Sequence, residues 1–147
     1  MNSLARLVLG CALLATAPLQ AAGPQVQANA PILNFSLPSF NEQGFRTMLV
    51  RGREAIVASK TEARLRDMTL TVFSGDADAR VETVFVSPAA TVRLDERVVF
   101  GEESVRVVND TFELIGTDWR YEHDAKRILI RAGARVVFQT EIRNLLR

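Results

Sequence analysis

From Ile32 onward the apolar residues of this chain recur at every second position, a spacing that restricts it to extended strands. Met68, Leu70 and Val72 alternate with Thr69 and Thr71, and Val92 and Leu94 with Arg93 and Asp95. Val105 and Val107 flank Arg106, Phe112 and Leu114 flank Glu113, and Trp119 and Tyr121 flank Arg120. Ile128 and Ile130 continue the pattern between Arg127 and Arg131, with Leu129 on the other face. Successive side chains of a strand point to opposite faces, so each run has one apolar and one wet face. β-branched and aromatic residues dominate the runs and fit a pleated, half-buried surface.

Turn-like segments separate the runs at 41–44, 74–78, Ser87–Pro88, 101–103, 108–110, 122–125 and Ala132–Gly133. No helical stretch is long enough to serve as a crossover, so the strands are expected to pair antiparallel. The expected fold is all-β: one antiparallel, jelly-roll-like sandwich over 32–147, open and elongated, with long hairpins. The tail 141–147 places Ile142, Leu145 and Leu146 at helical spacing and suits either a short helix or a frayed last strand. A weak repeat is also present. Gly52, Gly116 and Gly133 are each followed at +3 and +5 by an apolar pair, and Gly101 does the same one residue late. The plain reading is a turn glycine leading into a strand; the sharper one is a stack of similar long hairpins forming an elongated sheet pair.

Residues 1–22 read differently. One charge, Arg6, precedes the apolar run Leu7 to Leu19, and small residues Ala21 and Ala22 follow. This is the pattern of a secretory signal peptide, with a short uncleaved anchor as the alternative; a span needs about 20 apolar residues. Too few apolar residues lie between Arg6 and Cys11 for a lipoprotein signal. Cleavage near Ala22 would remove the single Cys and one arginine, leaving 18 − 1 = 17 basic against 17 acidic residues and a net charge of zero. Loss of a stray thiol agrees with export to an oxidising compartment. Residues 23–31 are uncharged, bracketed by prolines, and read as a tether.

The composition excludes much chemistry. Of 147 residues, 18 are basic and 17 acidic, so the net charge of +1 lacks the footprint of a nucleic-acid binder. One Cys permits neither an intramolecular disulfide nor a cysteine zinc cluster, and one His permits no His-rich metal site. That histidine, His123, falls in a polar stretch between two strands and reads as a solvated turn residue rather than a general base. Asp76/Asp78 and Glu102/Glu103 lack the loop pattern of a calcium site and read as turn solvation. No phosphate-cradling loop or dinucleotide fingerprint is present. Neither an enzyme nor a cofactor is expected. The apolar strand faces are the remaining candidate for function.

The order of residues resembles the lipopolysaccharide-transport (Lpt) bridge proteins, the LptC and LptA group. The likeness lies in FSLPSF at 35–40 leading into Gly44 and Phe45, in the pair around Leu65 to Phe73 followed by VFVSPA at 84–89, and above all in the closing unit. That unit runs from Phe112 to Gly116, through Trp119 and Tyr121 and a polar turn, to Ile128, Ile130, Gly133, Val136 and Phe138. The resemblance spans about Leu33 to Phe138 and is nearer to LptC, although the short apolar start is more like LptA.

It implies an open jelly roll in the periplasm, exported by its signal or held at the inner membrane, that passes lipopolysaccharide from an inner-membrane ABC transporter toward the outer membrane. The acyl chains of lipid A would lie in an apolar groove, and other Lpt subunits would join by edge-strand pairing through Ile32 to Phe40 and Val136 to Ile142. From strand phase, the side chains expected to line that groove are Leu70, Val72, Val84, Val92, Leu94, Val105, Val107, Phe112, Leu114, Trp119, Tyr121, Ile128, Ile130, Val136 and Phe138. The alternative is an exported β-sandwich that recognises an envelope protein or polysaccharide through its loops. It requires a dry, closed core and an exposed aromatic.

Overall fold

The computed structural model describes residues 30–139. The segment expected as a signal, most of that expected as a tether and the tail beyond Gln139 lie outside them. Eight strands follow one another: β1 (Ile32–Phe40), β2 (Arg46–Val57), β3 (Glu62–Phe73), β4 (Val81–Arg93), β5 (Val98–Gly101), β6 (Val105–Asn109), β7 (Phe112–Glu122) and β8 (Arg127–Phe138). Every pairing is antiparallel, and no helix occurs among the described residues. The order is a meander with β1 and β8 at its two edges. β5 and β6 act as one interrupted strand: both lie between β4 and β7, β5 beside Thr91–Arg93 and β6 beside Thr83–Val86. The all-β antiparallel fold agrees with the alternation of the sequence.

The long strands are interrupted at a common level, and the gap between β5 and β6 lies at that level too. Asn34 in β1, Asp67 in β3, Asp118 in β7 and Gly133 in β8 adopt left-handed backbone, at φ 54, 49, 49 and 59°. Asn and Asp tolerate this region better than other side-chain-bearing residues do. The β2–β3 ladder skips from Arg51 to Glu54, the β3–β4 ladder skips Asp67 and Pro88, and residues 102–104 separate β5 from β6. Pro88 thus sits where no ladder bond is needed from it. These breaks align into a crease across the whole sheet.

At the crease the inward phase slips by one residue in paired strands together, while the β2–β3 and β3–β4 registers continue unshifted. In β3, Ala63 and Leu65 are buried before it and Met68, Leu70 and Val72 after it. In β4 the buried positions change from Phe85 and Ser87 to Ala90 and Val92, and in β7 from Leu114 to Trp119 and Tyr121.

A single sheet has no second layer to bury its face against, yet Val50, Met68, Leu70, Phe85, Val99 and Val107 are fully buried. The sheet achieves this by folding along the crease, so that the two halves of the same strands form the two layers of a sandwich. Contacts across the layers are explicit. Phe85, in the half of β4 nearer residue 81, lies 4.7 Å from Tyr121 and 6.3 Å from Trp119 in the far half of β7, ring centroid to centroid. Lys126 Nζ in the β7–β8 turn reaches Glu82 Oε2 at 3.1 Å. We call the layer containing residues 35–51, 68–87, 105–116 and 134–138 the first layer, and its complement the second.

Ser87–Pro88 and Ala132–Gly133, expected as turns, are therefore crease positions inside β4 and β8. The repeat glycines Gly52, Gly101, Gly116 and Gly133 are crease residues too, so the reading of them as turn glycines is replaced by the paired-sheet reading. Two of them admit no side chain. A Cβ on Gly101 would stand 2.8 Å from the Ala89 carbonyl oxygen and 3.0 Å from Trp119 Nε1, and one on Gly116 would run into Ile130 Cγ2. The buried Ser87 hydroxyl ties the crease together, 2.8 Å from the carbonyl oxygens of both Ala89 and Ser104.

Gly101→Ala is expected to lower unfolding free energy by about 1–3 kcal/mol, because the added methyl meets backbone that cannot yield. Ser87→Ala should cost about 1–3 kcal/mol by removing the one hydroxyl donor that the Ala89 and Ser104 carbonyls share. Urea unfolding followed by Trp119 fluorescence measures both.

Candidate functional site

The inward side chains form one continuous surface. Across the first layer the register aligns Leu37, Val50, Leu70, Phe85, Val107, Leu114 and Val136 in a single row. Across the second it aligns Ala63, Val92, Val99, Tyr121 and Ile128. Cross-strand neighbours of this kind, 4.5–5.5 Å apart, are the unit from which a sheet face gains its packing. Where the rows face each other, Phe85, Trp119 and Tyr121 fill the space, so no groove runs the length of the sandwich.

Of the residues expected to line a groove, Leu70, Val72, Val92, Val105, Val107, Leu114, Trp119 and Tyr121 are buried in this central core. Phe112, Ile128 and Ile130 are half-buried and pack against it. Val84 is a correction: the inward residue of that run is Phe85, and Val84 is half-buried on the outer face, paired with Thr71 and Val108. Leu94 is another, because it lies in the β4–β5 turn and is exposed. Val136 and Phe138 lie on the inner face but are 46% and 70% exposed. The same reading passed over Met48, Val50, Leu65, Met68, Phe85 and Val99, all in the core. The two-residue spacing of Met48 and Val50 was available as a signal, while the phase of Leu65 and Phe85 depends on the crease.

Among the described residues the inner surface opens at two places. One mouth, of about 270 Å³, lies between the end of β1 and the β4–β5 hairpin. Leu37, Phe40, Met48, Val92, Leu94 and Val98 line it, with Arg93 and Arg97 also on its wall. Leu94, misplaced as a strand residue, thus still borders an apolar opening. The other mouth is the edge of the first layer, where Phe112 pairs with Phe138 and Leu114 with Val136. There the row leaves the core and ends uncovered at β8.

The polar candidates resolve into structure. Asp76 Oδ1 accepts hydrogen bonds from the Ser74 hydroxyl at 2.7 Å and the Asp78 amide at 3.1 Å, closing the β3–β4 turn. The Ser74 hydroxyl bond in turn holds the Asp76 carboxyl below its ordinary range. Glu102 and Glu103 are exposed in the break between β5 and β6. His123 is not the solvated turn residue its neighbours suggested: it is 8% exposed, with Nδ1 3.2 Å from the Tyr121 hydroxyl and its ring edge-on to that phenol. Burial pushes the imidazole below its ordinary pKa of 6.5; Asp124 opposes the shift, and Arg97 and Lys126 add to it. Burial likewise pushes the Tyr121 phenol up to about 12, helped by the carboxylates of Glu82 and Asp124. At neutral pH the phenol is protonated and the imidazole neutral, and the two share one hydrogen bond.

No family model matches the chain, and no curated protein matches it.

The buried histidine sets a pH dependence. Its folded-state pKa lies below 6.5, so its contribution to stability is present above pH 6.5 and lost as pH falls through the folded value. The carboxyls held low by hydrogen bonds, those of Asp76, Glu113 and Glu122, act below their ordinary values of 3.8 and 4.5, in a more acidic window. Urea midpoints are expected to fall between pH 7 and 5 in the natural chain, and His123→Asn should flatten that segment while leaving the loss below pH 4 in place.

Proposed function

We propose that this chain is a non-catalytic carrier of lipopolysaccharide, an envelope subunit of the Lpt bridge kind that takes acyl chains at the open mouths of its sandwich. The observation that carries the reading is the first-layer row, which runs from fully buried Phe85 and Val107 through Leu114 to uncovered Val136 and Phe138. An inner face that passes without interruption from packed core to open edge offers an acyl chain the surface a second layer would otherwise cover. Burying each CH₂ gains roughly 0.8 kcal/mol, so a chain of about 12 carbons gains on the order of 10 kcal/mol gross. Because the centre is filled, the chains would lie at the mouths and not along the full sandwich. Transfer between subunits without an energy source favours similar, unspecific apolar linings over a tight polar pocket.

The edges suit such a relay. β1 and β8 stand at opposite ends of the meander with unpaired backbone groups, and an edge strand of this kind accepts a strand from a neighbour. In this reading the neighbours are other Lpt subunits in the periplasm and the ABC transporter at the inner membrane.

A second reading, a module that recognises an envelope protein or polysaccharide, draws on the dry centre and on exposed Phe45 beside the β1–β2 turn. A photo-crosslinking residue at Phe112, Phe138, Phe45 or outer-face Leu129, introduced in cells, separates the two. Lipopolysaccharide adducts are expected at Phe112 and Phe138 and not at Leu129. Adducts confined to Phe45, with protein or glycan, would replace the carrier reading with the second.

A further inference from the structure

The two outer faces of the sandwich are built from the same strands and differ in how far acids engage their arginines. On the second layer, an unbroken chain of ion pairs crosses the face from Arg64 through Glu62, Arg93, Glu96, Arg120 and Glu122 to Arg127. There three glutamates are each engaged by arginines, and Ile56, Phe100 and Leu129 share an outer row with Arg64, Thr91 and Arg120. On the first layer the register sets two adjacent outer rows. One carries arginines: Arg51 beside Thr69, then Val86, Arg106, Ile115 and Arg135. The next is mostly apolar: Thr71, Val84, Val108, Glu113 and Val137. Val86 is 49% and Val137 50% exposed, and Ile115 is also exposed.

Charge complementarity identifies the occupant. Glu113, the one acid in these two rows, is held by Arg106 at 2.7 Å, whereas Arg51 and Arg135 have no ion-pair partner among the described residues. A shallow aliphatic row beside a row of cations matches a lipid surface, where short side chains enter the boundary of the acyl region and arginines meet anionic headgroups. A protein partner of the same footprint would be expected to present acids in register with the arginines and apolar side chains deep enough to reach between short valines. The flat aliphatic row offers no pocket for such anchors. We infer that the outer face of the first layer is a docking surface for an anionic membrane, separate from the inner apolar face and independent of what that inner face carries.

The test uses the full chain with Cys11→Ser and one new cysteine bearing an environment-sensitive fluorophore, at Val86→Cys, Val137→Cys or, on the opposite outer face, Thr91→Cys. Each is mixed with vesicles of phosphatidylglycerol and phosphatidylcholine, or of phosphatidylcholine alone. Labels at positions 86 and 137 are expected to shift to shorter wavelength on anionic vesicles and the label at 91 to stay unchanged. Arg51→Gln/Arg135→Gln should weaken that response about thirtyfold at low salt, the effect of two surface charges. No shift at 86 and 137 would overturn the inference. An equal shift at 91 would do so too, since adsorption through any other segment, the apolar run at 7–19 included, does not orient the first-layer face. A shift produced by vesicle-free envelope protein, with none from vesicles, would assign the face to a protein instead.

Discussion

The crease is the constraint on which the rest of this molecule depends. Eight antiparallel strands in sequential order make a flat meander, and a meander alone leaves one face of every strand in water. Breaking each strand at the same level lets the sheet become its own second layer, with no helix or second domain required. The energetic consequence is concentrated: a few residues with left-handed backbone, two glycines that admit no Cβ and one shared hydroxyl at Ser87 allow the burial of Phe85, Trp119 and Tyr121. Strain of order 1–3 kcal/mol at a residue in a rare backbone region is offset by aromatic burial of comparable or larger size.

The same crease explains what could be read from the sequence and what could not. Alternation is a local signal, and within each half-strand it is faithful: Leu70 with Val72, Val105 with Val107, and Trp119 with Tyr121 all face inward as their spacing requires. Phase does not carry across the crease. Strand phase sets Val84 and Val92 inward together, whereas the break at Ser87–Pro88 makes Phe85 the inward residue of its half of β4. Ser87–Pro88 and Ala132–Gly133 have the composition of turns because a crease and a turn need the same things, a missing donor or a left-handed backbone. The repeat of glycines held the information. Spacing alone did not say that the glycines lie in mid-strand.

His123 failed for a related reason. Glu122, Asp124 and Lys126 are polar neighbours in sequence, and a turn among them reads as solvated. The imidazole is buried with its ring edge-on to Tyr121, two residues earlier on the same inward phase, and the turn that carries it is tied to the opposite layer by Lys126 and Glu82. A turn at the closed end of a folded sheet is covered by chain far away in sequence. The carboxylates of Asp76 and Asp78 have no such cover, and there the local reading of a polar turn was sufficient.

The functional reading and the membrane-facing inference draw on opposite faces of one layer, and the geometry makes them compatible. The inner row ends uncovered at Val136 and Phe138, while the outer rows pass through Arg135 and Val137 on the same strand. Alternation on β8 therefore places an apolar mouth and a cationic, aliphatic surface one residue apart. A layer resting on anionic headgroups by its outer face would hold this mouth within a few ångströms of the lipid boundary, the shortest path an acyl chain could take out of water. The second layer, with its glutamates engaged in a ladder of ion pairs, would then face the solvent. The asymmetry between two layers cut from the same strands follows from the phase slip at the crease, because that slip decides which side chains each half-strand turns outward.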